Sequence, residues 1–203
     1  DLVGLKTTSG RLSLKGVVPL VEGFDTVGPI TRNVEDAALL LAAIEGGKPA
    51  DLAGATLAGT RFAVLETTAF DDIRDAPAAA FDDAARRLAA AGAHVGRLAF
   101  PALPAIMALS GILFTSEAYA IWRDRIEAAP DRMYPPIRDR FRSGGAHSGA
   151  DFVSAWRRLR QIRSLWAESM AAYDAVLAPT AAILPPDAAR LQTDPDYFAA
   201  ENL

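Results

Sequence analysis

Apolar positions fall at helical spacing along several stretches of this chain and gather into short strand-like runs along others. From Asn33 to Glu45, Val34, Ala37, Ala38, Leu41 and Ile44 recur at i, i+3 and i+4 spacing and predict a helix with one apolar stripe. Asn33 is placed to cap it, Glu35 and Asp36 set negative charge against the first-turn N–H groups, and Gly46 supplies the stop. That stripe is expected to be buried.

A strand–helix–strand unit follows. Arg61 to Glu66 is a short apolar strand, Asp75 is placed to cap a helix running through Ala91 with Pro77 in its first turn, and Gly92 ends it before the strand Ala93 to Leu98. Phe81, Ala84, Ala85 and Leu88 share the helix face that would meet a sheet. Such a unit carries parallel strands and a right-handed crossover.

The rest is mostly helical. Ile106 to Glu127 reads as a long helix interrupted near Gly111 and ended before Pro130, and Tyr134-Pro135-Pro136 makes a stiff link into Ile137 to Arg142. From Asp151 onward, Phe152, Trp156, Leu159, Ile162, Trp166, Met170 and Tyr173 lie on one face of a helix of about six turns. Ala175 to Ala178 is an apolar run read as a central strand. These elements predict an α/β fold, a mixed, largely parallel sheet flanked by helices, and with no linker, repeat or low-complexity break residues 1–203 read as part of a single domain.

Composition narrows the function classes. The chain has 203 residues, 51% of them apolar, enough to fill one core, and no uninterrupted apolar run reaches the roughly 18 residues that cross a bilayer. No membrane partner is predicted. With 25 acidic against 21 basic residues the net charge is -4, which argues against broad binding to nucleic acid or anionic lipid. The absence of cysteine excludes disulfides, thiol catalysis and cysteine-bound zinc and suits a reducing compartment, so a cytoplasmic location is the expectation.

The stretch from Gly4 to Ala38, GLKTTSGRLSLKGVVPLVEGFDTVGPITRNVEDAA, strings glycine-set turns, a short apolar run and a capped helix in one fixed order. It resembles the segment that follows the nucleophile motif in the amidase signature family, whose members carry GLKPT-x-GR-[VL]-S, then Leu-Asp-Thr-Val-Gly-Pro and an Asp-Ala-Ala helix. Glu117-Ala118-Tyr119 and RSGGAHSGADFVSAWRRLRQIR are similar to the family's helical middle, and Tyr173 to Thr180 resembles its Tyr-Asp-x-Leu-Leu-x-Pro-Thr strand and turn. The likeness spans almost the whole chain apart from Lys48 to Phe100.

The resemblance implies hydrolysis of a carbon–nitrogen amide bond without metal or organic cofactor, by a Ser–cis-Ser–Lys triad. In the family that triad lies upstream of the segment matched here, so the chain is read as an internal piece truncated at both ends, with no catalytic residue of its own. Gly23-Phe24 departs from the family's Ser-Leu wording. Two alternatives stand beside the amidase reading: the glutamine-hydrolysing subunit of a tRNA-dependent amidotransferase, and a non-catalytic scaffold or interaction module.

Among individual residues, His94 and His147 read as structural or solvent-facing, and no metal site is expected. No serine has the G-x-S-x-G or S-x-x-K setting, and Ser13 with Lys15 reads as turn chemistry. Lys6 follows the nucleophile position, so the catalytic lysine's role is not assigned to it. Asp25 and Thr26 read as partners of loop backbone. The pocket candidates are Pro179 and Thr180, at the carboxyl end of a strand where α/β sheets bind ligands. The resemblance points the same way, and it implies for Arg140 a position where amide-transferring relatives hold a substrate carboxylate. Arg157, Arg158, Arg160 and Arg163 crowd one helix without aromatic interleaving and read as a solvated or subunit-facing surface, which leaves a homo-oligomer open. No Gly-rich phosphate loop occurs, and the expected partner is a small-molecule amide.

Overall fold

A computed structural model describes residues 2–185 and 187–193. The chain divides into two compact units, one built from Asp1–Ala55 with Met107–Leu159, the other from Thr56–Ile106 with Arg160–Leu203.

In the first unit, β1 (Val3–Gly4) pairs antiparallel with β2 (Ile30–Thr31), and Leu5 N–H extends the ladder to the Pro29 carbonyl at 2.9 Å. Gly28 makes this pairing feasible, because a Cβ there would sit 1.9 Å from the Leu5 carbonyl oxygen. Helix α1 (Val34–Glu45) follows with the predicted ends. Asn33 Oδ1 accepts the Asp36 N–H at 2.7 Å, and Gly46 closes the helix at φ +73°. Its stripe departs from expectation. Only Ala37 and Ala42 are buried, while Val34 and Ile44 stand exposed together with Leu39 and Leu40, because no element among the described residues covers that side.

The core of this unit forms around α3 (Leu103–Ala128), α4 (Pro135–Arg142) and the start of α5 (Gly149–Met170). Val21, Ala118, Ile126 and Phe141 are buried, with Phe24, Phe114, Tyr119, Trp122 and Met133 packed against them. Helix α3 runs unbroken through Gly111, contrary to the predicted interruption. A mid-helix glycine costs only about 1 kcal/mol against alanine, and Thr115 Oγ1 donates back to the Gly111 carbonyl at 2.8 Å. By length and composition α3 also meets the test for a membrane-crossing helix. Its buried residues and the hydrogen bonds of Glu117 and Trp122 to the Pro19–Asp25 loop are those of a helix packed in protein.

The second unit carries a parallel three-stranded sheet in the order β4-β3-β5. Strand β3 (Arg61–Glu66) has the predicted bounds, and β4 (His94–Ala99) starts one residue later than the sequence suggests. Between them α2 (Asp75–Ala90) presents Phe81, Ala84, Ala85 and Leu88 half-buried, with Phe81 edge-on to Phe70 at 5.2 Å. Its cap position is Arg74 rather than Asp75, and the Arg74 N–H is used by the Ala182 carbonyl at 2.9 Å. Strand β5 (Ala175–Leu177) is an edge, not the centre, of this sheet: β3 lies in the middle. Ala63 and Leu65 of β3, Phe100 and Ile162 fill the interior, and Trp166 meets Phe100 edge-on at 5.1 Å. The short helix α6 (Ala188–Thr193) ends the described chain.

Candidate functional site

One concavity of the first unit is made by one loop and two helices. The loop Pro19–Asp25 has little regular structure, so its backbone polar groups need partners from elsewhere. Asp25 supplies two of them, its carboxylate accepting the N–H of Leu20 at 2.9 Å and of Val21 at 3.2 Å, as the sequence suggests for an aspartate in this setting. Trp122 Nε1–H donates to the Pro19 carbonyl at 2.9 Å, and the Glu117 carboxylate accepts the Gly23 N–H at 2.7 Å. Phe24 is stacked between Phe114 at 4.6 Å and Trp156 at 5.1 Å. The loop is therefore held along its length by side chains of α3 and α5.

Helix α4 is fixed as firmly. Two prolines at its start pre-set the first turn, and Arg142 grips Glu127 of α3 with paired hydrogen bonds of 2.9 and 2.8 Å. That guanidinium holds the Glu127 carboxyl below its usual range. At the end of α4 the chain turns through Gly144, which lies against the α3 backbone so closely that a Cβ would meet the Thr115 carbonyl oxygen at 2.0 Å.

Between loop and helices lies a cavity of about 300 Å³ lined by Leu20, Val21, Phe114, Thr115, Ala118, Ile137, Arg140 and Phe141. Its walls are apolar except for Thr115 and Arg140, and Arg140 has no carboxylate partner among the described residues. An apolar hollow with one guanidinium at its border is suited to a small ligand with a hydrocarbon body and an anionic end.

Pro179 and Thr180 belong to the second unit, so the structure gives the three predicted site residues in two separate settings. They follow β5 at its carboxyl end, Pro179 half-buried and Thr180 exposed. Beyond the carboxyl ends of β3 and β4 in the same unit is a shallower hollow of about 170 Å³, lined by Glu66, Thr67, Thr68, Ala99, Phe100, Pro101, Leu103 and Pro104.

The remaining candidates have structural placements. Ser13 Oγ accepts the Lys15 N–H at 3.2 Å, a local turn bond, and Lys6 Nζ donates to the adjacent Thr7 carbonyl at 3.1 Å. The buried Thr7 hydroxyl donates to the Val27 carbonyl at 2.7 Å. His94 is exposed on β4 and His147 is exposed in the turn after Gly144. Arg157, Arg158, Arg160 and Arg163 are exposed on α5. Sequence reading missed Glu117 and Trp122 as the holders of the loop. One signal was present: from Leu103 to Trp122, Glu117 is the sole charged residue, and a lone carboxylate in an apolar helix needs a partner.

The amidase family model matches residues 1–203. The 2-amino-5-chloromuconic acid deaminase of Comamonas testosteroni is 34% identical over 203 residues, covering 98% of this chain and 44% of the relative. An amidase of Pseudomonas putida is 30% identical, covering 94% of this chain and 43% of the relative. Among solved structures, a crystal structure of an amidase superposes with a TM-score of 0.83 at 26% identity, over 92% of this chain and 42% of that one. A glutamyl-tRNA(Gln) amidotransferase subunit from Thermotoga maritima gives 0.74 at 25% identity, over 98% and 46%. The chain thus spans less than half the length of these relatives. Matched by the family model over all its residues and by these structures over most of them, the chain belongs to the amidase signature family and shares its α/β fold.

Proposed function

We propose that the polypeptide carrying this chain hydrolyses the carbon–nitrogen bond of a small amide bearing a carboxylate, and that these residues provide scaffold and pocket wall as part of a single amidase signature domain. Family membership supports the bond type. The observation that carries the substrate class is Arg140, a guanidinium without a carboxylate partner among the described residues at the border of an apolar cavity. Two relatives are named for acids or carboxy compounds: the 2-amino-5-chloromuconic acid deaminase and, at 30% identity over 90% of this chain, the AtzE component of the 1-carboxybiuret hydrolase of Pseudomonas sp..

In this reading the nucleophile comes from the family's upstream Ser–cis-Ser–Lys motif. Its serine Oγ attacks the amide carbonyl while the proton passes through the second serine to the lysine. Backbone N–H groups stabilise the oxyanion, the C–N bond breaks as the amine takes up a proton, and water releases the acid from the acyl-serine. Arg140 binds the remote carboxylate; Pro179 and Thr180, in the second unit at the end of β5, stand as separate pocket-wall candidates.

The test is the kinetics of the polypeptide that joins this chain to its upstream segment, on pairs of amides differing only in a free carboxylate. Arg140→Ala is expected to lower kcat/KM on the carboxylated member about 10- to 100-fold, the loss of a charged hydrogen bond of about 1.5–3 kcal/mol, and to leave the neutral member nearly unchanged. Equal losses on both would remove the carboxylate assignment. Hydrolysis by the 203-residue chain alone would remove the upstream nucleophile.

A second reading rests on a separate observation: a 56-residue stretch is 54% identical to a glutamyl-tRNA(Gln) amidotransferase subunit of Halalkalibacterium halodurans. Amide cleavage that requires a co-purified partner and charged tRNA would favour it. Stand-alone turnover of varied amides would count against it.

A further inference from the structure

The carboxyl end of α3 and the turn that follows it form a second hollow in the first unit, of about 440 Å³, with Trp122, Arg125, Ile126, Arg132 and Met133 in its walls. It shares no lining residue with the Arg140 cavity. Its apolar wall is fixed by the core, since Ile126 is buried and Trp122 and Met133 pack against the same cluster. Trp122 is held further by its Nε1–H, which donates to the Pro19 carbonyl at 2.9 Å and sets the orientation of the indole. The Arg125 guanidinium lies 5.2 Å from the centroid of that ring.

The charge of this hollow is not balanced by its surroundings. Six arginines stand on α3, on α4 and on the turn between them. Three are matched to carboxylates: Arg123 to Asp124 at 3.4 Å, Arg138 to Asp139 at 2.7 Å and Arg142 to Glu127 at 2.8 Å. The other three, Arg125, Arg132 and Arg140, have no carboxylate partner among the described residues, and each of them lines a cavity. Asp131, beside Arg132 in sequence, forms no ion pair with it, and its charge bears on Arg138. The dipole of α3 accounts for one cation in its last turn, Arg125. Arg132 lies past that helix, in the turn Pro130–Arg132, and brings a second positive charge to the same apolar wall.

We infer that this hollow is a binding site for a small aromatic anion, separate from the Arg140 cavity, with Arg125 and Arg132 holding the anionic group and Trp122 and Met133 the ring. The indole and the thioether favour a flat, polarizable body, and the guanidiniums favour oxygens that accept charge-assisted hydrogen bonds. An inorganic anion would leave the apolar wall unused, and a neutral arene would leave both cations unmatched. A carboxylate and a phosphate monoester present the same kind of oxygens to a guanidinium, so the shared chemistry is an anionic group on an arene.

The test is isothermal titration calorimetry on the polypeptide that joins this chain to its upstream segment, carrying Arg140→Ala so that the other guanidinium cavity is silent. The probes are 2-naphthoate and 2-naphthyl phosphate, with 2-naphthalenemethanol and inorganic phosphate as their neutral and ringless counterparts. At least one naphthyl anion is expected to bind once per chain, with both counterparts tenfold or more weaker, and to slow hydrogen exchange at the Arg125–Met133 amides. Whichever naphthyl anion binds more tightly identifies the anionic group. Arg125→Gln with Arg132→Gln is expected to weaken that binding about 10- to 100-fold. The thermal midpoint should stay put, since both side chains are exposed. No saturable binding of either naphthyl anion, equal affinity for 2-naphthalenemethanol or for inorganic phosphate, or binding unaffected by the double variant would each overturn the inference.

Discussion

The Glu117 carboxylate accepts the backbone N–H of Gly23 at 2.7 Å across 94 positions of sequence, joining the middle of an apolar helix to the loop that walls the Arg140 cavity. A Cβ at position 23 would lie 2.9 Å from Glu117 Oε2 and 3.0 Å from the Trp156 ring, so a side chain there would press on the groups that hold the loop. Glu117→Ala leaves a part-buried N–H without an acceptor and is expected to cost about 1.5–3 kcal/mol. Glu117→Gln keeps an acceptor and should lose less. Urea unfolding of the two variants, followed by tryptophan fluorescence, decides the ordering, and equal losses would show that the bond itself contributes little.

The paired glycines after α4 give a sharper contrast. A Cβ on Gly144 would meet backbone, the Thr115 carbonyl oxygen at 2.0 Å and the Ser116 nitrogen at 2.6 Å, and neither can move without breaking α3. A Cβ on Gly145 would meet the Tyr119 ring at 2.8 Å, a side chain rather than helix backbone. Gly144→Ala should therefore cost about 3 kcal/mol or more, the upper end of overpacking, and Gly145→Ala about 1 kcal/mol. Thermal unfolding of both checks this, and comparable midpoints would contradict the close approach of α3 and the turn.

At the start of α1, Asn33 binds Asp36 twice: Oδ1 accepts the backbone N–H at 2.7 Å, and Nδ2 donates to the carboxylate at 3.0 Å. Asn33→Ala should lower stability by about 1 kcal/mol, and Asn33→Asp much less, since aspartate keeps the acceptor for the N–H. Circular dichroism on thermal unfolding of the two reads the difference.

What was legible in the sequence was local. The bounds of β3, the cap and stop of α1 and the buried face of α5 follow from residue spacing and end chemistry, which act over a turn or a strand. What was not legible depends on distant partners. Ala175–Leu177 reads as a strand anywhere, but its place at the sheet edge depends on which strand pairs with β3. Gly111 reads as a break only if its propensity cost outweighs the packing of a 26-residue helix, and it does not. The stripe of α1 reads as buried because apolar spacing says which side seeks cover and nothing about whether this chain supplies it. For the site, Arg140 is singled out only through the family resemblance, by its distance ahead of Gly144, while the loop that lines the same cavity is held by Glu117 and Trp122, whose partners lie 94 and 103 positions away.

The placement of Pro179 and Thr180 traces to one carboxylate. Asp174 accepts the Arg61 backbone N–H at 2.8 Å and the guanidinium at 3.2 Å, while its own N–H donates to the Arg61 carbonyl at 2.8 Å, so the starts of β5 and β3 are locked together. The Asp174 carboxyl is held below its usual range, first by the Arg61 side chain and then by the Arg61 N–H. A carboxyl with a depressed folded-state pKa takes up its proton more readily when unfolded. Its stabilisation is therefore fully present above the unfolded-state pKa and drains away as pH falls through the folded-state value. Wild-type stability should accordingly decline on acidification, with Glu45, Glu127 and Asp139, each lowered by an arginine, contributing in the same direction. Asp174→Asn keeps an acceptor for the Arg61 N–H and should flatten part of that acid limb while preserving β5, whereas Asp174→Ala should release the strand at neutral pH. Hydrogen exchange at Ala175, Val176 and Leu177 separates the cases: fast exchange in the alanine variant alone supports the lock, and protection equal to wild type in both would mean that the pairing of β5 with β3 holds the Pro179 turn without Asp174.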